Sequence, residues 1–317
     1  MIPERKFLVS PGPHLWGGLS VSKIMYLVVL ALMFPTGAAV YFFGYRAISV
    51  IGVSVATCIL TEYVVKKIRG QPFVMDGSAA VTGILLGLIL PPTIPLWMVV
   101  IGSIFAIGIV KEAFGGLGHN IFNPALGARA FMSASFSVPM TTWVKPMGFA
   151  ADAVTSATPL SGVSDWQPGD PSVYQAMFLG NTAGSIGETS ALFILIGGIF
   201  LLARGIINWR IPAIYIGVVA LMAVGLGQDP LFYILSGGLM LGAFFMATDY
   251  VTSPLTNKGK IIFSIALGAL TVMIRHFGGM PEGVCYSILF MNAITPLIDR
   301  FIKVRPYGLV KRVESAG

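Results

Sequence analysis

Residues 78–92 read SAAVTGILLGLILPP. The run carries no charge and stops at Pro91-Pro92. A helix that crosses a membrane needs about 20 mostly apolar residues, so this one is short. Proline ends it, because the ring has no N–H to donate and clashes with the preceding turn. Broken helices are tolerated in a membrane where the freed backbone is buried in protein. The stretch therefore predicts a membrane bundle in which some helices are interrupted.

Runs of the same character lie on both sides. Ten candidate segments emerge, at 24–43, 47–65, 78–90, 94–110, 119–136, 188–203, 211–226, 231–248, 261–274 and 284–298. The fifth is unusually polar, and the tenth contains Asn292 and Pro296. Composition agrees: 56% of residues are hydrophobic, 10% are charged, and the mean hydropathy is +0.84. A soluble domain carries about 25% charged residues, so too few charges exist here to cover a water-facing surface. The 38 glycines and 20 prolines argue against plain, straight helices. Glycine also lets helices approach closely.

The net charge of +7 comes from 20 Lys+Arg against 13 Asp+Glu. The basic residues sit in short loops beside apolar runs, so they read as topology signals and call for no nucleic-acid partner. With the N-terminus placed in the cytoplasm, sixteen Lys and Arg fall in inside loops. Only Arg46, Lys145 and Arg275 fall outside, and Arg129 lies within the fifth segment. Both termini are then cytoplasmic, with an even number of crossings. Met1 to Ser22 shows no cleavable signal pattern, since no apolar core follows Arg5-Lys6 directly. Cys58 and Cys285 lie far apart with no CxxC or Cys/His cluster, so this chain alone has no set of ligands for an iron–sulfur cluster or structural zinc. His14, His119 and His276 have no partner at haem or metal spacing and read as structural.

The two halves resemble each other. A shift of 163 residues aligns Pro91 with Pro254, Thr93 with Thr256, Ala106 with Ala269, and Phe114-Gly115-Gly116 with Phe277-Gly278-Gly279. Five segments per half invert the second copy. Inverted repeats place sites near the midplane on discontinuous helices in matching positions. Segments five and ten fit, with Asn120, Asn123 and Pro124 in one and Asn292 and Pro296 in the other. The expected fold is an all-α membrane protein of about ten helices in two inverted five-helix repeats with broken helices. Its parts are an N-terminal segment 1–22, a first repeat 23–136, an outer loop 137–187, a second repeat 188–299 and a tail 300–317.

The outer loop is rich in Ser, Thr, Gly, Pro and Asp, and Trp143 and Trp166 are candidate interfacial anchors. It contains Asp152-Ala153-Val154-Thr155-Ser156-Ala157-Thr158-Pro159-Leu160. Two readings stand: an ordinary Ser/Thr-rich loop, or a site of flavin attachment. The run resembles D-x-x-[ST]-[SG]-A-T, on which a flavin transferase esterifies the last threonine, here Thr158, with the phosphate of FMN. The usual glycine after the aspartate is Ala153 here.

The surrounding motifs occur in a specific order. They are residues 76–83 (DGSAAVTG), 90–97 (LPPTIPLW), 111–116 (KEAFGG), 120–126 (NIFNPAL), 184–190 (GSIGETS) and 244–249 (FFMATD). Together they resemble the family of the D subunit of Rnf complexes and the B subunit of the sodium-pumping NADH:quinone oxidoreductase, over nearly the whole chain. The short N-terminus is more like the first of these. The resemblance implies a bacterial or archaeal cytoplasmic-membrane subunit of a complex that moves electrons between ferredoxin and NAD, coupled to Na+ or H+ translocation. It implies covalent FMN on Thr158, within the motif of Asp152, Thr155, Ser156 and Ala157. It also implies a noncovalent riboflavin near Asn120 and Asn123. The implied partners are the other subunits, among them a second FMN-bearing subunit and iron–sulfur subunits, with a flavin transferase and membrane lipid.

Individual residues keep two readings each. Asn120 and Asn123 stand three apart, on one face if the segment is helical, where their amides suit the polar edge of an isoalloxazine ring. Their other role is to satisfy backbone freed by Pro124. The backbone N–H groups of Gly184-Ser185-Ile186-Gly187-Glu188 either face a phosphate at a helix N-terminus or form a turn in which Glu188 favours the helix dipole. Asp249 marks an ion pathway or an interfacial cap. Glu62 reads as an ion pair with Lys66 one turn away. Arg129 faces a flavin or a structural anionic partner. A rival class is a transporter or channel of the urea or ammonium type, with Asn120, Asn123 and Asn292 lining a pore and the outer loop as a plug.

Overall fold

A computed structural model describes residues 20–146, 169–278 and 283–303. The first helix, α1 (Val21–Phe43), is capped by Ser20, whose side chain accepts from the Lys23 N–H, and it contains Pro35. It turns at Gly44, with φ of 59°, directly into α2 (Tyr45–Ile68). The buried face of α2 runs Ala47, Val50, Ile51, Ser54, Cys58 and Glu62, a helical stripe that becomes polar toward its C-terminal end.

Asp76 starts the next helix by accepting both the N–H and the hydroxyl of Ser78, at 2.8 and 2.6 Å. That helix, α3 (Ser78–Ile89), is buried along most of its length. Gly83 and Gly87 let it sit directly on α2. A Cβ at Gly83 would lie 2.6 Å from Val55 Cα, and one at Gly87 2.9 Å from Ile51 Cα. This is the close approach that small residues four apart permit between membrane helices. The helix stops before Pro91-Pro92, as its sequence requires.

The expected fourth segment is composite. It is α4 (Leu96–Ile104) continued by a π-helix, Phe105–Glu112. The fifth begins later than expected, as α5 (Pro124–Ser135) with Asn123 as its N-cap. The outer segment is not loop throughout. It holds α6 (Ser137–Thr141) and α7 (Pro171–Leu179). The second half has α8 (Ala191–Ala203), α9 (Arg210–Gly225) and a second composite of α10 (Pro230–Leu235), α11 (Leu239–Leu241) and a π-helix, Gly242–Met246. It closes with α12 (Asn257–Phe277) and α13 (Gly283–Phe301). Pro296 lies inside α13 without breaking it, which corrects the expectation of an interruption there.

Among the described residues three helices, α1, α2 and α12, are individually long and apolar enough to cross a membrane. Of the remaining expected crossings, α13 is one continuous helix of 19 residues but less apolar, and the others are shorter or composite. Large apolar side chains point outward on the long helices, among them Leu30, Met33, Ile48, Leu60 and Ile265. That arrangement suits a lipid surrounding better than water.

Contacts between connecting segments fall into two sets, one at each end of the bundle. At the first end, Tyr26 donates to Met75 O (3.1 Å), Arg69 meets Glu112 (3.6 Å) and Leu255 N–H bonds Asp299 (3.1 Å). At the second end, Thr93 donates to Thr142 O (3.3 Å), Ile186 N–H to Leu90 O (3.0 Å) and Arg275 to Tyr233 O (2.6 Å).

Candidate functional site

The first end holds a cavity of about 90 Å³. Its walls are apolar: Ile24, Met25 and Val28 of α1, Val81 and Leu85 of α3, Leu201 of α8, and Phe244 and Phe245. One side is polar, formed by Ser78, Thr82, Lys111, Asn120, Asn123, Thr248 and Asp249.

Local sequence sets the polar side. Pro124 is the first residue of α5, where its missing N–H costs nothing. Asn123 before it caps the helix, its Oδ1 accepting from Ala125 N–H (3.1 Å) and Leu126 N–H (3.3 Å). Its Nδ2 has no partner among the described residues. Asn120 is the complement: its Nδ2 donates to Phe122 O at 3.0 Å, and its Oδ1 has no partner among the described residues. Asn120 and Asn123 therefore share the cavity but not a helical face, which corrects the sequence expectation. The cavity is left one amide donor and one amide acceptor.

Asn292 of α13 supports this corner from behind. With its amide oriented to satisfy both ends, its oxygen accepts from Asn123 N–H (3.1 Å) and its nitrogen donates to Ile288 O (3.1 Å) and Thr252 O (3.3 Å). The two polar segments of the two halves thus touch. Asp249 accepts from Val251 N–H (3.4 Å) and the Thr252 hydroxyl (3.2 Å), as a cap does, while lining the cavity.

A buried charge cluster closes the polar side. Glu62 pairs with Lys66 at 3.0 Å, as expected from their spacing. The same Oε1 also meets Lys111 at 2.9 Å, and Lys111 donates to Ser78 Oγ at 2.6 Å. Glu62 and Lys111 are each 2% exposed. Lys111 is one of the sixteen cations expected in inside loops and heads the 111–116 motif. It lies instead in the π-helix and is buried, which corrects the loop expectation. The available signal is Glu62 itself, an acid inside an apolar run.

The second end carries a different polar seam. Arg129 of α5 donates to Ile89 O at the C-terminus of α3, to Ser185 Oγ (3.4 Å) and to Glu188 (3.2 Å). Its partner is thus a structural anion of this chain. In the segment 184–188, Ile186 N–H donates to Leu90 O (3.0 Å) and Gly187 N–H to Leu88 O (2.6 Å). Those amides are engaged with the end of α3 rather than pointing free as a phosphate cradle. Arg275 donates to Tyr233 O (2.6 Å) and Ser236 O (3.0 Å), capping the end of α10. Gly184 has open space around it.

Asp152, Thr155, Ser156, Ala157 and Thr158 lie outside the described residues. Both flanks of that stretch sit at the second end. Thr142 O meets Thr93, and Gly169 N–H donates to the Tyr174 hydroxyl at 2.7 Å. Tyr174 in turn donates to Asp229. Burial pushes the Asp229 carboxyl up, but hydrogen bonds from Tyr174 and from the N–H groups of Phe232 and Leu231 outweigh it and hold the pKa below the usual carboxylate value. Asp170, exposed, is also lowered, by hydrogen bonds from Ser172.

Comparison with known proteins covers nearly the whole chain. Residues 8–308 match the NQR2, RnfD, RnfE family. The chain is 48% identical, over 97% of its length and 98% of the relative's, to the D subunit of the proton-translocating ferredoxin:NAD(+) oxidoreductase complex of Clostridium ljungdahlii. It is also 48% identical, over 99% of both chains, to the D subunit of the Na(+)-translocating ferredoxin:NAD(+) oxidoreductase complex of Acetobacterium woodii. Identity to the D subunit of the ion-translocating oxidoreductase complex of Stutzerimonas stutzeri is 41%, over 91% of this chain and 92% of that one.

Proposed function

The chain belongs to the NQR2, RnfD, RnfE family, and from that membership we propose that it is a flavin-carrying membrane subunit of an ion-translocating ferredoxin:NAD oxidoreductase complex. Two D subunits of such complexes, each 48% identical over almost the full length, are the observation that carries the assignment. The chain passes electrons between partner subunits and is inactive alone.

In this reading the chain crosses the membrane ten times, with both termini in the cytoplasm and the second half inverted on the first. Two observations support it. The connecting segments sort by contact into two ends, and the first end carries most of the loop Lys and Arg. Helix α1 packs on α8 and α5 packs on α13, the pairings that a two-fold axis between halves generates. Reporters fused after Gly317 should then read cytoplasmic and reporters at Gly169 outside; the same side for both would contradict ten crossings.

Two flavin positions are proposed. One is covalent FMN on Thr158 at the second end. The other is a noncovalent riboflavin in the cavity at the first end. The cavity's chemistry fits such a ring: apolar walls that include Phe244 and Phe245, and one polar side with an unused amide donor on Asn123 and an unused amide acceptor on Asn120. A flavin supplies one- and two-electron chemistry, which bridges iron–sulfur centres and hydride transfer. The chain's own work is to hold the ring, orient its polar edge through Asn120 and Asn123, and exclude water with the α1 and α3 side chains.

Thr158→Ala decides the covalent site. In-gel flavin fluorescence of the denatured chain should vanish, while Ser156→Ala and Thr155→Ala stay fluorescent. Covalent flavin persisting in Thr158→Ala, mapped to another residue, would overturn the assignment.

A further inference from the structure

We infer that Lys111 is the charged ligand of the flavin in the first-end cavity, donating to a ring carbonyl while Glu62 and Ser78 hold its ammonium in place; this rests on the reading of that cavity as a flavin site. An ammonium has three donors and no acceptor. Two of the donors of Lys111 are directed at Glu62 Oε1 (2.9 Å) and Ser78 Oγ (2.6 Å). The residue also lines the cavity, beside Asn120 and Asn123.

The chemistry of the ring's edge gives the reason. That edge presents a carbonyl, an N–H and a second carbonyl. Recognition needs two donors and one acceptor. Asn123 Nδ2 supplies one donor and Asn120 Oδ1 the acceptor. Lys111 is the cationic donor on the same side of the cavity, so it completes the set.

The ion pair with Glu62 does not by itself account for a lysine 2% exposed. Removing two charges from water costs more than their attraction returns unless the remaining hydrogen-bonding groups are also used. Glu62 already has a partner in Lys66 at 3.0 Å. Glu112, the neighbour of Lys111, faces Arg69 instead. Ser78 is itself fixed, its hydroxyl 2.6 Å from Asp76. Lys111 is thus locked from two sides by groups that are locked in turn. The π-helix that carries it is the kind of local irregularity found at functional sites. A fixed positive charge beside the ring stabilises the added negative charge of the reduced form and raises its midpoint potential.

The test uses the intact complex with its partner subunits, and covalent-flavin fluorescence of this chain serves as the assembly control. Noncovalent flavin is released with acid and counted per complex, and its midpoint potential is read by redox titration followed in the visible. Lys111→Met should lower flavin retention about tenfold, the scale of losing one charged hydrogen bond, and move the potential of any remaining flavin downward. Lys111→Arg should keep the flavin but displace its potential. The double variant Lys111→Met/Glu62→Gln removes both buried charges, so it separates misassembly from loss of a ligand. It should assemble and still lose the flavin. Full flavin at an unchanged potential in the single or the double variant overturns the role of Lys111. If neither assembles, an unchanged potential in Lys111→Arg does so. Failure to release any noncovalent flavin from the unsubstituted complex overturns the cavity reading, and is told apart because it appears before any variant is made.

Discussion

The two ends of the bundle use similar residues to opposite effect. At the second end, Arg129 and Arg275 are anchored on carbonyl groups that end a helix, Ile89 O for one and Tyr233 O and Ser236 O for the other. In the strap 184–188, Ile186 and Gly187 give their N–H groups to Leu90 O and Leu88 O. Most of the polar bonding there goes to helix ends that proline or glycine has cut short, while Arg275 Nε, Ser236 Oγ and Ser190 Oγ are buried with no partner among the described residues. At the first end, Asn123 repairs a helix start with its oxygen but leaves its nitrogen at a cavity, and Asn120 does the reverse. A buried polar group whose bonds are complete needs no further partner. One left half-bonded beside a cavity calls for one, and a bound ligand can supply it. Under the function proposed above, the second end's described seam serves mainly repair and the first end recognition.

The largest effect that can break this contrast concerns Arg129. Arg129→Met strands Glu188 and the end of α3, and removing one partner of a buried pair costs about 3–5 kcal/mol. The complex should assemble poorly in a thermal-shift measurement, and Arg129→Met/Glu188→Gln should recover part of the loss. Normal stability with selective loss of flavin would make Arg129 a ligand instead.

Gly187 comes next. A Cβ there would meet Leu88 Cβ at 2.6 Å, whereas Gly184 has nothing within 4 Å. Gly187→Ala should cost about 1–3 kcal/mol as an overpacked site, while Gly184→Ala should leave the melting temperature unchanged. Loss of covalent flavin in Gly184→Ala at normal stability would return the strap to the ligand class.

Asn123→Asp sharpens the contrast from the first end. The carboxylate keeps the capping oxygen and loses the amide donor. Stability should hold, while acid-released flavin falls about tenfold. Equal loss of both would mean that Asn123 matters only as a cap.

The smallest effect is at Asp229. Its carboxyl is held below the ordinary value by Tyr174 and two N–H groups, so its contribution is present above the unfolded pKa, near 4, and fades as pH falls through the lowered folded value. Amide exchange in α7 should be slower in the wild type than in Asp229→Asn at pH 7. That difference should narrow as the pH falls below about 4. A difference that does not narrow on acidification would remove Asp229 from the α7–α10 contact.

Several of these features are legible in the sequence. Pro91-Pro92 marks the end of α3 to within a residue. The Glu62–Lys66 pair follows from one helical turn. The start of α5 is harder to read, because Pro124 looks like an interruption within a helix, when Asn-Pro is a cap followed by a first residue. Asp170-Pro171 and Asp229-Pro230 begin α7 and α10 the same way. Lys111 is hidden because its partner lies 49 residues away and already has a cation one turn along its own helix. The repairs made by Arg129 and Arg275 depend on tertiary contacts across the bundle, which no local pattern reports. The coupled ion is not legible in similarity either: relatives named for protons and for Na(+) are each 48% identical to this chain.

Recognition of a noncovalent flavin at the first end, with the covalent one on the opposite side, is the central claim. An experimental density map of the intact complex, purified with its flavins, tests it most directly. The expected map shows a planar ring against Asn120, Asn123, Lys111 and Phe244, and a second flavin joined to Thr158 beyond the far end of α3. A map with lipid or collapsed side chains in the first-end cavity, and with a noncovalent ring seated on Arg129 and the 184–188 strap, would contradict it.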